Sequence, residues 1–242
     1  MCLQNGVDNE RQALRRFARV YAVPVMCPTT HLRPGVVDAH SAPVTGILDV
    51  GCYPTGVDDL AETIAGAFTA SGFDAVARPD IMRFKWSKLL MNLGNALEAA
   101  IGPIGRTSDL YAAARTEAVA VLADAGIDCA SREEDLARRG DLISVRPIGD
   151  ERRGGGSSWQ SLARGTGTSE VDQLNGEIVL LGRLAQRGRP ADPARRLRPG
   201  DTIARQDQPM RQGPSTVARL RIVPAEPAGP VPPDYQRPRT AS

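Results

Sequence analysis

Lysine is nearly missing from this sequence: only Lys85 and Lys88 stand among its 30 basic residues. Where arginine supplies almost all of the positive charge, a retained lysine points to chemistry arginine cannot do, because only the amine readily gives up its proton. Aromatic residues are scarce as well, at 4%. No apolar stretch approaches the ~20 residues needed to cross a bilayer, so no membrane segment is expected. Residues Met1–Asn5 lack a basic region leading into an apolar run, so no secretory leader is expected and the chain reads as cytoplasmic. The four cysteines, Cys2, Cys27, Cys52 and Cys129, form no CxxC pair and lie near no histidine cluster. That pattern argues against a zinc site and against a disulfide framework.

What is present suits a globular protein. The chain has 242 residues, 41% of them apolar, enough for one large or two small domains with cores of their own. The net charge of +2 hides an asymmetry. Residues 185–242 hold 11 Arg against 5 acidic residues, whereas residues 1–184 hold 19 basic and 23 acidic ones. A basic tail is one footprint of nucleic-acid binding, but this one has a single aromatic, Tyr235, and no recognition helix, so no nucleic-acid partner is expected. With 11 Pro and no sustained apolar period, the tail cannot bury enough surface to offset its ordering entropy and is expected to be disordered.

The first 79 residues alternate between short helices and strands. Helices are expected over about Asp8–Ala18 and Asp58–Ser71, and strands at Val20–Met26, Gly35–Ala39, Val44–Val50 and Asp74–Ala77. This is an α/β pattern short of strands. A complete dinucleotide-binding domain begins with a strand leading through GxGxxG into a helix, and no such motif precedes Gln4. Gly154-Gly155-Gly156 does not replace it, since no strand leads into that cluster. From Pro79 the signal is helical. Asp80 is a candidate N-cap for a helix whose Trp86, Leu90, Leu93 and Leu97 recur on one side. Further helices are expected at Ser108–Ala125, Arg132–Ala137, Ser158–Arg164 and Glu170–Leu184.

Three polar groupings could carry chemistry. Lys88, Asn92 and Asn95, spaced i, i+4 and i+7, put an ammonium and two carboxamides on one helical face, which fits the solvent side of an amphipathic helix as well as it fits a site. Ser157-Ser158 and Glu170 each stand at a helix entrance, where capping explains them equally well. Gln4-Asn5-Gly6 is by itself an ordinary turn signal.

The wording of these segments resembles a known family. QNGVDNE at 4–10, KWSKLLMNLGN at 85–95 and SSWQSLARGTGTSEVDQLNGEIVLLGRL at 157–184 are similar to ketopantoate reductase (2-dehydropantoate 2-reductase), in the family's order and at about its separations. The resemblance implies an incomplete Rossmann-type NADP-binding α/β domain at 1–79, followed by an all-α substrate and dimerisation domain at 80–184. Roughly the family's first third would be absent. The segment 185–242 departs from the family, and a shift of reading frame near Ala185 is the expected cause. Carried over by position, Lys88 would be the general acid and Glu170 its carboxylate partner. Asn92, Asn95 and Ser158 would contact substrate, and Asn5 would lie near the nicotinamide of NADPH. Asn95 fits less closely, because many members place the second asparagine one residue later, where this chain has Ala96.

The implied reaction is NADPH-dependent reduction of 2-dehydropantoate to pantoate, a step toward pantothenate. The residue types suit it, since a lysine ammonium stabilises charge developing on a ketone oxygen and then donates the proton. Two other readings stay open: a non-catalytic binding or dimerisation module without a cofactor site, and a related reductase of another 2-oxo acid. A homodimer is also open. For the chain as given, no tight NADPH binding is expected.

Overall fold

The computed structural model describes residues 1–150, 153–165 and 169–188. The chain opens with an α/β part. Strands β1 (Cys2–Leu3), β2 (Tyr21–Val23) and β6 (Gly51–Cys52) form a sheet in the order β1-β2-β6, parallel between the first two and antiparallel between the last two. Single bridges extend it: Met26 pairs with Ile47, Ile47 with Asp74 and Val50 with Ala77. The expected strands at Val20–Met26, Val44–Val50 and Asp74–Ala77 thus lie side by side, although most of their pairing is too irregular to form long strands. Helix α1 (Asn9–Leu14) follows β1, and α2 (Asp59–Ala70) packs on the sheet. Asp58 caps α2 by accepting from Ala61 N, and Ala61 and Ala65 meet Tyr21, Val23, Leu48 and Val50 in a small core.

Two hairpin-like pairs lie apart from this sheet. Strands β3 (Thr29–Arg33) and β4 (Val36–Ala39) pair antiparallel around a turn at Gly35 with φ +74°. Strand β5 (Ser41–Pro43) pairs with β7 (Ile143–Val145), about a hundred residues further on.

The remainder is helical: α3 (Ile81–Asn92), α4 (Asn95–Ile101), a 3₁₀ turn at Pro103–Thr107, α5 (Asp109–Asp124), α6 (Arg132–Arg139), α7 (Ser157–Ala163) and α8 (Val171–Gly188). One long helix was expected from Asp80 through Leu97, but it breaks at Leu93-Gly94, where a Cβ on Gly94 would sit 3.2 Å from the Tyr111 ring. Asp80 stands at the start of α3 but makes no cap hydrogen bond, pairing instead with Arg78 and Arg83. The core joins Leu89 and Leu90 of α3, and Leu93 just after it, to Ala114, Ala118 and Leu122 of α5 and Ile178 of α8. Small residues on α5 let these helices approach closely. Helix α8 runs past Leu184 to Gly188; the rest of the expected tail lies outside the described residues.

Two buried ion pairs tie the parts together. Lys85 Nζ lies 2.5 Å from Glu10 Oε1, joining α3 to α1 with both side chains almost wholly enclosed. Arg138 of α6 reaches Asp49 through Nε at 2.8 Å and through its terminal nitrogen at 2.6 Å, and Asp74 at 2.5 Å, so α6 is fastened to the sheet.

Candidate active site

A cavity of about 650 Å³ opens where α3, α4 and α7 face β3 and the turn after β1. Among its lining residues are Asn5, Lys88, Asn92, Asn95, Ser157 and Glu170. Five of the six residues singled out from the sequence therefore share one space. The sixth, Ser158, does not line it. Ser158 is 1% exposed, and among the described residues its Oγ has no hydrogen-bond partner. Successive residues on a helix point about 100° apart, so only one of the two serines can face the cavity, and α7 presents Ser157.

The polar groups form a continuous chain. Asn92 Nδ2 donates to Asn5 Oδ1 at 3.2 Å. Asn5 Nδ2 in turn donates to Glu170 Oε2 at 3.3 Å and to Ser157 Oγ at 3.4 Å. Ser157 Oγ donates to Glu170 Oε2 at 3.3 Å and accepts from Asn95 Nδ2 at 3.3 Å. Asn95 Oδ1 accepts from Arg106, whose Nε lies 2.9 Å from Glu98 Oε2. That carboxylate also accepts the Gly156 N–H at 3.0 Å. Gly156 has no room for a side chain, since a Cβ there would sit 2.7 Å from Glu98 Oε2. The Gly154–Gly156 run thus allows close approach of the backbone to Glu98 and to the Trp159 ring.

Lys88 lies within this cavity but outside the chain of hydrogen bonds. Its Nζ donates to Met26 Sδ at 3.4 Å, a weak acceptor. Glu170, expected as its carboxylate partner, is exposed and engaged with Asn5 and Ser157 instead. Among the described residues no carboxylate forms an ion pair with Lys88. Burial pushes the Lys88 pKa down from 10.5 to about 8, helped by Arg106, Arg139 and Arg153 and opposed by Asp135. The second lysine, Lys85, is committed to Glu10. Arg106, Glu98 and Arg153 also line the cavity, and none was singled out from the sequence. Arginine is too common here to mark a site, and Glu98 lies ten residues from Lys88 with no motif around it.

Among the described residues no group of histidine, cysteine and acidic side chains could hold a metal ion, and no helix is long and apolar enough to cross a membrane.

Comparison with known proteins places this arrangement. The sequence pattern of the family described as "Ketopantoate reductase PanE/ApbA C terminal" matches residues 80–191. Over those residues the chain is similar to the C-terminal part of ketopantoate reductases. A 2-dehydropantoate 2-reductase of Pyrococcus horikoshii is 25% identical over 196 residues, covering 76% of this chain and 60% of that protein. The solved PanE/ApbA family ketopantoate reductase of Ralstonia eutropha is 28% identical with a TM-score of 0.54, covering 81% of this chain and 62% of that one. Two further structures share the fold. The 2-dehydropantoate 2-reductase of Methylococcus capsulatus has a TM-score of 0.59 at 24% identity, over 75% of this chain and 62% of that one. A D-mandelate dehydrogenase solved with NADH has a TM-score of 0.58 at 20% identity, over 76% of this chain and 64% of that one. The chain spans about three fifths of the length of these relatives. Its architecture, an incomplete Rossmann-type α/β part followed by a helical part, is that of the reductase family over the matched region.

Proposed function

We propose that the cavity is the substrate and proton-donor half of a 2-oxo acid reductase whose reaction is conversion of 2-dehydropantoate to pantoate, with NADPH as the hydride source. The observation that carries this reading is the ammonium of Lys88, without an ion-pair partner among the described residues, in a cavity lined by amides, a hydroxyl and committed carboxylates. Reduction of a ketone puts negative charge on its oxygen, and an ammonium within reach stabilises that charge and then gives up its proton. A pKa of about 8 suits the task, leaving Lys88 mostly protonated at neutral pH yet ready to release the proton. Asn5, Asn92 and Ser157 supply hydrogen bonds that hold the substrate's polar groups and fix which carbonyl face is presented. Glu170 orients Asn5 and Ser157 rather than Lys88.

The described residues fit the cofactor only in part. Asn5 faces the cavity, but among the described residues no strand runs through a glycine-rich turn into a helix. The N-terminal turn of α2 carries Asp58, Asp59 and Glu62, charges that repel a pyrophosphate. The reading is therefore confined to the substrate side, and the chain by itself is a binder of 2-oxo acids.

Calorimetric titration of the full chain tests both halves of this statement. Binding of 2-dehydropantoate, weakened about tenfold or more by Asn92→Ala, is expected, as is the absence of tight NADPH binding. No binding of 2-dehydropantoate would refute the substrate site, and sub-micromolar NADPH binding would refute the confinement to the substrate side.

A further inference from the structure

The cavity contains two carboxylates, and both are committed. Glu98 holds Arg106 at 2.9 Å and the Gly156 N–H at 3.0 Å, and Glu170 accepts from Asn5 and Ser157. Its cations are less evenly served. Arg164, also at the cavity wall, donates to the His31 carbonyl at 2.8 Å and to Ser161 Oγ at 3.5 Å. Arg153 is half-buried, lines the cavity and makes one contact of note, from Nε to the Thr29 carbonyl at 3.5 Å, the outer limit of a hydrogen bond. Among the described residues its terminal nitrogens have no carboxylate partner. Burial disfavours its charge and holds its pKa below the ordinary arginine value, with Glu98 opposing. A half-buried guanidinium without a counter-charge is costly unless an anion arrives to face it.

We propose that Arg153 is the carboxylate anchor of this cavity, its terminal N–H groups seating the carboxylate of the 2-oxo acid while Lys88 is left for the carbonyl oxygen. The division of labour follows from the two side chains. A guanidinium presents a planar fork that matches a carboxylate and does not release its proton, whereas the amine is a point donor that does. Lys88 and Arg153 lie close enough to repel each other, so an anion between them relieves both. Arg153 then determines specificity: it selects 2-oxo acids over neutral ketones and aldehydes. This inference rests on the reductase reading and deepens it.

The test is calorimetric titration of the full chain with 2-dehydropantoate and with its uncharged methyl ester. Arg153→Ala should weaken binding of the acid about 10- to 100-fold, the scale of a lost charge-assisted hydrogen bond, and leave the ester within about twofold. Arg153→Lys, which keeps the charge and loses the fork, should recover only part of the loss, and it decides the matter should the alanine variant fail to fold. Wild-type affinity for the acid in a folded Arg153 variant would overturn the anchor and leave the reductase reading standing. Failure of the unaltered chain to bind the acid would overturn both.

Discussion

Replacing Lys88 by Met should stabilise the protein while removing its proton donor. The ammonium lies against the Met26 thioether, among the described residues no carboxylate forms an ion pair with it, and its pKa falls from 10.5 to about 8. Each unit of that depression is about 1.4 kcal/mol of preference for the neutral form, so holding the lysine charged at pH 7 costs the folded state at most about 3.4 kcal/mol. Lys88 keeps part of its surface open to the cavity, and screening there reduces the expected gain to about 1–2 kcal/mol. A methionine fills the same length and packs against Met26. The difference between the two proteins should depend on pH. Below about 8 the lysine is charged in both folded and unfolded chains, and the penalty is complete. As pH rises from about 8 toward 10.5, the folded lysine loses its proton before the unfolded one does, so the wild type gains stability and the gap closes. Urea unfolding of both proteins at pH 7 and pH 9.5 measures this. A variant less stable than wild type at pH 7, or a gap that does not narrow at the higher pH, would refute the reasoning.

Glu10→Ala leaves the Lys85 ammonium enclosed without its partner and should cost about 3–5 kcal/mol, read as a lower urea midpoint. Ser157→Ala should weaken binding of 2-dehydropantoate about tenfold, whereas Ser158→Ala should leave affinity unchanged, a contrast that calorimetry resolves. Because Ser158 Oγ is buried without a partner among the described residues, Ser158→Ala should also be neutral or mildly stabilising in a thermal melt.

Much of the fold was legible because its signals are local. Helices α2, α5, α6, α7 and α8 have bounds within a few residues of those expected, with Ser108 and Ser131 capping two of them, whereas α3 and α4 were expected as one helix. Strand β7 was not legible: its three residues pair with β5 about a hundred residues earlier, and nothing nearby specifies that partner. The cavity was partly legible. Lys88 and Asn92 stand one turn apart on α3, and Asn95 reaches the same space because the break at Gly94 turns α4 without carrying it away. Choosing between Ser157 and Ser158 required the rotation of α7, which a start expected one residue late could not supply. The partners of the charged groups were the least legible. Glu10 meets Lys85 across 75 positions, and Glu170 turns to Asn5, 165 positions away, instead of Lys88. Such pairings are set by how elements dock, not by spacing along any one of them.

Because the chain has only two lysines, carbon-13 labelling of lysine would show Lys88 almost without overlap. The direct measurement is a pH titration of the lysine Cε resonances, without and with 2-dehydropantoate. One resonance, absent from Lys88→Met, should titrate near pH 8 in the free protein and move to higher pH when the bound acid's negative charge stabilises the ammonium. A Lys88 resonance that titrates near 10.5, or one whose midpoint saturating 2-dehydropantoate leaves in place, would contradict Lys88 as the proton donor of a 2-oxo acid site.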